Sequence, residues 1–172
     1  MKELVKKYAD RLNIHGLVDK DAPIIGIIET SICWSRYDKK IAELEKIFKG
    51  LGVNSLFLSR PTEPYNTIVN YLASITEKTI YPKDSETRTL LHDLPVIASF
   101  DSDAIIKILS KRKTVIIKDI GIMTFGTVSP EQSFSMYSSV CFASYIKFFS
   151  DYLSDLKRKK VTKEQQKAFD FV

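Results

Sequence analysis

Five ionisable side chains crowd into ten residues: Asp84, Glu86, Arg88, His92 and Asp93. They fall in a polar stretch between apolar segments, and polar loops on a rigid scaffold are where sites are usually built. Glu86, His92 and Asp93 could ligate a metal ion, or the cluster could do acid/base work. The plainer reading is a solvated loop in which Arg88 pairs with a carboxylate. A second candidate, Lys118-Asp119-Ile120-Gly121, ends an apolar strand, where α/β proteins often open a pocket. It reads as well as a polar turn closed by Gly121. Only two histidines exist, His15 and His92, so three-histidine zinc chemistry is excluded by count. His15 precedes Gly16 and suits the end of a helix, where it can hydrogen-bond the last carbonyls. Cys33 and Cys141 form no CxxC pair and read as buried free thiols of a reducing compartment. No Gly-rich phosphate loop, HExxH, GxSxG or EF-hand motif is present.

The scaffold that must position these groups is one domain by size. With 172 residues, 44% hydrophobic and 27% charged, the chain can bury a sizeable core and is not a disordered polymer. No apolar run reaches the roughly 18 residues a membrane span needs, and the charged start Met1-Lys2-Glu3-Leu4 lacks a signal-peptide core. A cytoplasmic location is the expectation. The net charge of +5 is uneven. Residues 156–172 hold six basic and two acidic side chains, so the body is nearly neutral. We expect a domain over 1–156 and a basic tail or short helix over 157–172. That tail is more economically a solvated helix end than a nucleic-acid contact.

Spacing predicts the elements. Leu4, Val5, Tyr8 and Leu12 predict a helix over 3–14, and Ile24-Ile25-Gly26-Ile27-Ile28 a strand buried on both faces. Asp38 is positioned to cap a helix running to Phe48. A strand follows at 53–58, then a Pro-rich turn at 60–64, with Pro64 suited to the first position of a helix carrying Ile68, Val69, Leu72 and Ile75. Short strands are expected at 79–81, 95–99, 114–117 and 122–125, with a helix capped by Asp101. Residues 83–94 receive no assignment. Ser129-Pro130-Glu131-Gln132 has the form of a capping box, starting a long helix to about Leu156 with a broad aromatic stripe. Thr162 with Gln165 suits one last short helix.

The segment from Thr114 to Gly126, followed by the helix from Ser129, resembles the class II aldolase/adducin family. There an apolar strand reaches a His-Gly turn, a second short strand reaches glycine, and a long helix follows. Asp101–Arg112 is similar to the helix before that strand. Pro61-Thr62-Glu63 resembles the family's Pro-Ser-Ser-Glu turn, with Tyr71 eight residues beyond Glu63, and Leu12–Val18 resembles the end of its first helix. The resemblance implies a catalytic acid/base at Glu63. It also implies zinc held by a His-x-His pair and by the histidine of the His-Gly turn, but Pro82, Asp84 and Ile120 stand at those places. An isoleucine cannot ligate zinc. The head domain of adducin likewise uses the fold without metal chemistry.

The expected fold is α/β, a single layered domain with a central, mainly antiparallel sheet flanked by helices. The expected function is that of a degenerate, metal-free class II aldolase-like protein acting as an oligomeric binding or interaction module. The alternative is a lyase on a small carbonyl or sugar-phosphate substrate with a rebuilt site. In that site Glu63, His92 and Asp93 would be catalytic, and Asp84, Glu86, Arg88, Lys118 and Asp119 would bind substrate. No cofactor is expected, with zinc or another divalent ion only under the alternative. The expected partners are a second copy and a small-molecule ligand, not nucleic acid.

Overall fold

A computed structural model describes all 172 residues. Helix α1 (Lys2–Ile14) buries Val5, Tyr8 and Leu12, the stripe its spacing predicts. The chain continues through β1 (Ile24–Ile28), β2 (Ile32–Trp34), α2 (Ile41–Leu51), β3 (Ser55–Ser59), α3 (Tyr65–Ser74), β4 (Thr79–Ile80) and α4 (Ser85–Leu91). It closes with β5 (Leu94–Ile97), α5 (Ser102–Leu109), β6 (Thr114–Ile117), β7 (Gly121–Gly126), α6 (Pro130–Arg158) and α7 (Lys163–Phe171).

The seven strands form one open sheet in the order β2-β1-β3-β7-β6-β5-β4. Every neighbouring pair is antiparallel except β5 and β6. Helices cover both faces. On one, α1, α3, α6 and parts of α4 and α7 enclose the larger core, which includes Ile25, Ile27, Phe57 and Ile116. On the other, α2 and α5 pack over Ile24, Leu56, Leu58, Val115 and Ile117. This two-sided cover explains why β1 and β6 read as continuous apolar runs rather than alternating ones. Each fully buried Ile or Leu contributes about 1.5–3 kcal/mol. Gly26 has no side chain because the Trp34 ring lies against it; a Cβ there would sit 2.5 Å from the indole.

Helix α6 is fastened to the sheet by polar contacts as well as by its aromatic stripe. The Ser55 and Ser133 hydroxyls are 2.6 Å apart, and Thr124 Oγ1 donates to the Ser133 carbonyl at 2.9 Å. Tyr137 is fully buried and its hydroxyl donates to the Ser59 carbonyl at 3.2 Å. Such satisfied buried groups fix one packing register where an apolar contact alone would slide.

The structure corrects several expectations. Residues 85–91 form a helix where no element was assigned, so the ionisable cluster is not a loop. Asp84 is its cap, accepting from Thr87 N at 2.6 Å, and Thr87 and Leu91 face inward. The three-residue edge strand β2 was not anticipated. Asp38 stands one turn ahead of α2, and its carboxylate accepts from Lys40 N at 2.9 Å. Pro64 precedes the first turn of α3 rather than opening it. Ser129 makes no side-chain cap bond. Gln132 instead reaches further back and accepts from Val128 N at 2.9 Å. In the basic C-terminal segment, Thr162 caps α7 by accepting from Gln165 N. Phe169 stacks on Tyr152 with centroids 4.0 Å apart, and Gln165 and Ala168 are buried.

Truncation after Lys160 should therefore cost stability. Loss of the stacked pair and of the buried Ala168 is worth about 3 kcal/mol, or about 6–12 °C in Tm for a chain this long. Calorimetry of the truncated chain checks this, and an unchanged Tm would show α7 to be a passive tail.

Candidate functional site

The pairing registers bring five strand ends together. Ile24 pairs with Leu58 and Gly26 with Trp34, so the start of β1, the end of β2 and the end of β3 lie side by side. Ser59 pairs with Ile122 and Ile117 with Gly121, which adds the β6–β7 turn to the same end. That turn closes on the β3 backbone because residue 121 is glycine. Its φ is +140°, and a Cβ there would stand 2.2 Å from the Ser59 carbonyl oxygen. Asp119, at φ +61°, makes the turn that precedes it.

A cleft of about 320 Å³ opens at this end, lined by Arg36, Asp38, Lys40, Arg60, Asp119 and Ile120 among others. Arg36 and Lys40 share one carboxylate: Arg36 Nη1 is 3.2 Å from Asp38 Oδ2, and Lys40 Nζ is 3.7 Å from Asp38 Oδ1. Burial alone would raise the Asp38 carboxyl. The Lys40 N–H bond and the two cations outweigh it and hold the group below its usual value. Arg60 donates to the Asp119 carbonyl, a neutral partner, and so keeps its charge. Three cations thus face two carboxylates in a small cleft, which favours an anionic guest.

Of the residues the sequence singled out, Asp119 and the turn that follows it line this cleft. Lys118 is half-buried, with its ammonium 3.5 Å from the Thr76 carbonyl. Glu63 follows β3 at the same end but turns to α3. Its carboxylate accepts from Asn66 Nδ2 at 2.9 Å and from Thr67 N at 3.0 Å, which satisfies a free helix donor.

The remaining five lie at the other end of the sheet. Between Lys113 and Lys118 the β6 chain advances about 16 Å, and α4 sits at the Lys113 end, between β4 and the start of β5. Asp84 is occupied as a cap; the Thr87 bonds outweigh burial and lower its carboxyl pKa. Glu86 is exposed beside a crevice between α4 and α6. Arg88 is exposed and makes no ion pair. Asp93 binds Arg112 instead, Nε to Oδ1 at 2.5 Å and Nη2 to Oδ2 at 3.3 Å. His92 lines a separate pocket of about 450 Å³. Glu63 therefore does not converge with Glu86, His92 and Asp93, and the rebuilt site is not assembled. The cleft cations Arg36, Lys40 and Arg60 were not singled out from the sequence. Arg36 and Arg60 carry the signal that marked Lys118-Asp119, a charge just past an apolar strand.

No family model matches the sequence, and no curated protein matches it either. The structure does have neighbours among solved structures. L-fuculose-1-phosphate aldolase of Thermus thermophilus superposes with a TM-score of 0.74 at 11% identity, covering 88% of this chain and 95% of that one. YgbL of Escherichia coli gives 0.70 at 8% identity, over 86% and 88% of the two chains. The N-terminal class II aldolase domain of a conserved Thermoplasma acidophilum protein gives 0.52 at 8%, over 84% and 92%. The chain has the class II aldolase fold, as the resemblance in its C-terminal half implied.

The zinc that this fold implies does not fit the residues present. No three His, Cys, Asp or Glu side chains lie close enough together to hold an ion. Ile120, in the turn where the resemblance places a histidine, is half-buried against the apolar cluster under α2 and α5. Asp84 is committed to capping α4.

Asp38 gives this site a pH signature. Its folded pKa is lowered, so its stabilisation is complete above its unfolded value, about pH 3.9. It is lost as pH falls through the lower folded value. Asp38→Asn should cost about 1 kcal/mol at neutral pH and should unfold with a shallower acid limb. Urea midpoints between pH 2.5 and 7 test it, and an acid limb identical to the parent's would refute the assignment.

Proposed function

We propose that this chain is a binding protein on the class II aldolase fold, catalytically degenerate and metal-free, that takes a small anionic ligand in the strand-end cleft and works as a homo-oligomer. The observation that carries the reading is the cleft's composition. Cationic side chains that follow two strands, β2 and β3, line it, and Ile120, a hydrocarbon, stands in its lining in place of a metal ligand. A guanidinium and an ammonium recognise phosphate or carboxylate without an ion's help. The Thermus thermophilus neighbour is named for a sugar phosphate, and a phosphorylated polyol of that size is the ligand class we favour. A role like that of the adducin head domain, binding without turnover, fits this reading.

The oligomer is supported by α6. Phe142, Ile146, Phe149, Leu153 and Leu156 follow one another at steps of four, three, four and three, the seam spacing of paired helices. Phe142, Leu153 and Leu156 are each more than half exposed. A second copy presents the same row and can cover it self-complementarily. The unpaired thiols Cys33 and Cys141 fit a reducing cytoplasm, and no helix is long and apolar enough to cross a membrane. No nucleic-acid role is proposed.

Titration calorimetry with fuculose-1-phosphate should show saturable heat in the parent protein without added metal. Arg36→Ala/Arg60→Ala should weaken binding at least tenfold. Equal affinity in that variant, or divalent-ion-dependent cleavage of the sugar phosphate, would overturn the reading. Independently, Phe142→Lys/Leu153→Lys should shift the sedimenting species to monomer while leaving the circular dichroism spectrum in place; an oligomer that survives both charges would discard the α6 interface.

A further inference from the structure

A separate pocket lies at the opposite end of the sheet. It holds about 450 Å³ and lies where α2, α4 and α5 end, with His92, Lys111 and Lys113 on its wall and Leu51, Leu109 and Phe125 among its apolar lining. We propose that it is a second ligand site, one that binds a phosphomonoester with an apolar body: the phosphate between Lys111, Lys113 and His92, the body against Leu51, Leu109 and Phe125.

Three observations carry this. First, the two lysines are unneutralised. Asp93, the nearby carboxylate, is held bidentately by Arg112, and neither Lys111 nor Lys113 enters an ion pair. Lys113 Nζ stands 4.8 Å above the Phe125 ring, a contact that orients it without cancelling its charge. Lysines near helix ends commonly serve the helix dipole, and here several of the late carbonyls already have backbone donors. Gly52 N bonds Phe48 O at 3.1 Å, His92 N bonds Arg88 O at 3.0 Å, and Ser110 N and Arg112 N bond Ile106 O and Ile108 O at 2.9 and 3.0 Å. A phosphate dianion matches the two free positive charges better than a carboxylate does.

Second, His92 is held in a costly conformation. Its φ and ψ are +63° and −67°, and Asp93 N bonds Leu91 O at 2.8 Å, which makes a three-residue turn of the rare, strained hand. A non-glycine residue pays of order 1–3 kcal/mol there, and such strain persists where surroundings impose it, commonly at binding sites. The surroundings are visible: Leu91 and Leu94 are buried on either side, and Arg112 fixes Asp93. Arg112 is a positioning residue, since its N–H groups go to Asp93 and to the Lys111 carbonyl. Third, the site lies apart from the strand-end cleft and shares no residue with it. Its occupancy can therefore be tested separately.

The test is an amide NMR titration with phenyl phosphate and with inorganic phosphate at constant ionic strength. The expected result is saturable shifts at His92, Lys111 and Lys113, with phenyl phosphate binding at least tenfold tighter than inorganic phosphate. Lys111→Ala/Lys113→Ala should lose at least tenfold in affinity, while Arg36→Ala/Arg60→Ala, which tests the other cleft, should leave it unaltered. His92→Gly adopts the positive φ without strain, so it should stay folded and bind more weakly. Shifts confined to the strand-end cleft, unsaturable shifts, or parent-like affinity in the double lysine variant would each overturn the proposal.

Discussion

The approach of Gly121 to the Ser59 carbonyl is the contact on which the rest of the site depends. A hydrogen in place of a side chain lets the β6–β7 turn rest on the end of β3, at a distance no Cβ tolerates. The same Ser59 carbonyl accepts the Tyr137 hydroxyl from α6, so the central strand, the turn and the long helix meet at one peptide. Because Tyr137 is wholly enclosed, burial pushes its phenol far above the ordinary value and keeps it a neutral donor. From this junction Arg60 and Asp119 are placed within bonding reach, and Ile120 is set at the cleft.

Charge is then distributed to the two ends of a sheet whose middle is hydrocarbon. At one end Arg36 and Lys40 share the Asp38 carboxylate while Arg60 holds the Asp119 carbonyl around a small cleft; at the other two lysines stand free beside a partly apolar pocket. Neither end gathers the donors a metal ion needs. The scaffold of a class II aldolase is kept at about one residue in nine identical, and fold by itself does not carry activity across such a distance. What this chain's own side chains supply is basic charge at both ends of the sheet.

Much of the fold was legible because it rests on local pattern. The β-branched runs at 24–28 and 114–117, the caps Asp101 and Thr162, and the Ser129-Pro130 start of α6 all say locally what they become. Helix α4 was missed because it is short and polar, and only Thr87 and Leu91 are buried; the sole local signal was Asp84 three residues before Thr87. The site was harder to read. Whether Glu63 and His92 meet depends on which strand end each follows, and that is set by pairings between segments tens of residues apart. Asp93 chose Arg112, nineteen residues on, over the sequence neighbour Arg88. Arg36, Lys40 and Arg60 become one group only once β1, β2 and β3 are laid side by side.

The most direct measurement is the denaturant unfolding of Gly121→Ala, followed by amide NMR. The expected result is a loss of about 2–4 kcal/mol, with shift changes centred on Ser59, Arg60, Asp119 and Ile120. Parent-like stability with undisturbed amides at those positions would mean that the turn does not rest on the β3 backbone, and the cleft built from that contact would fall with it.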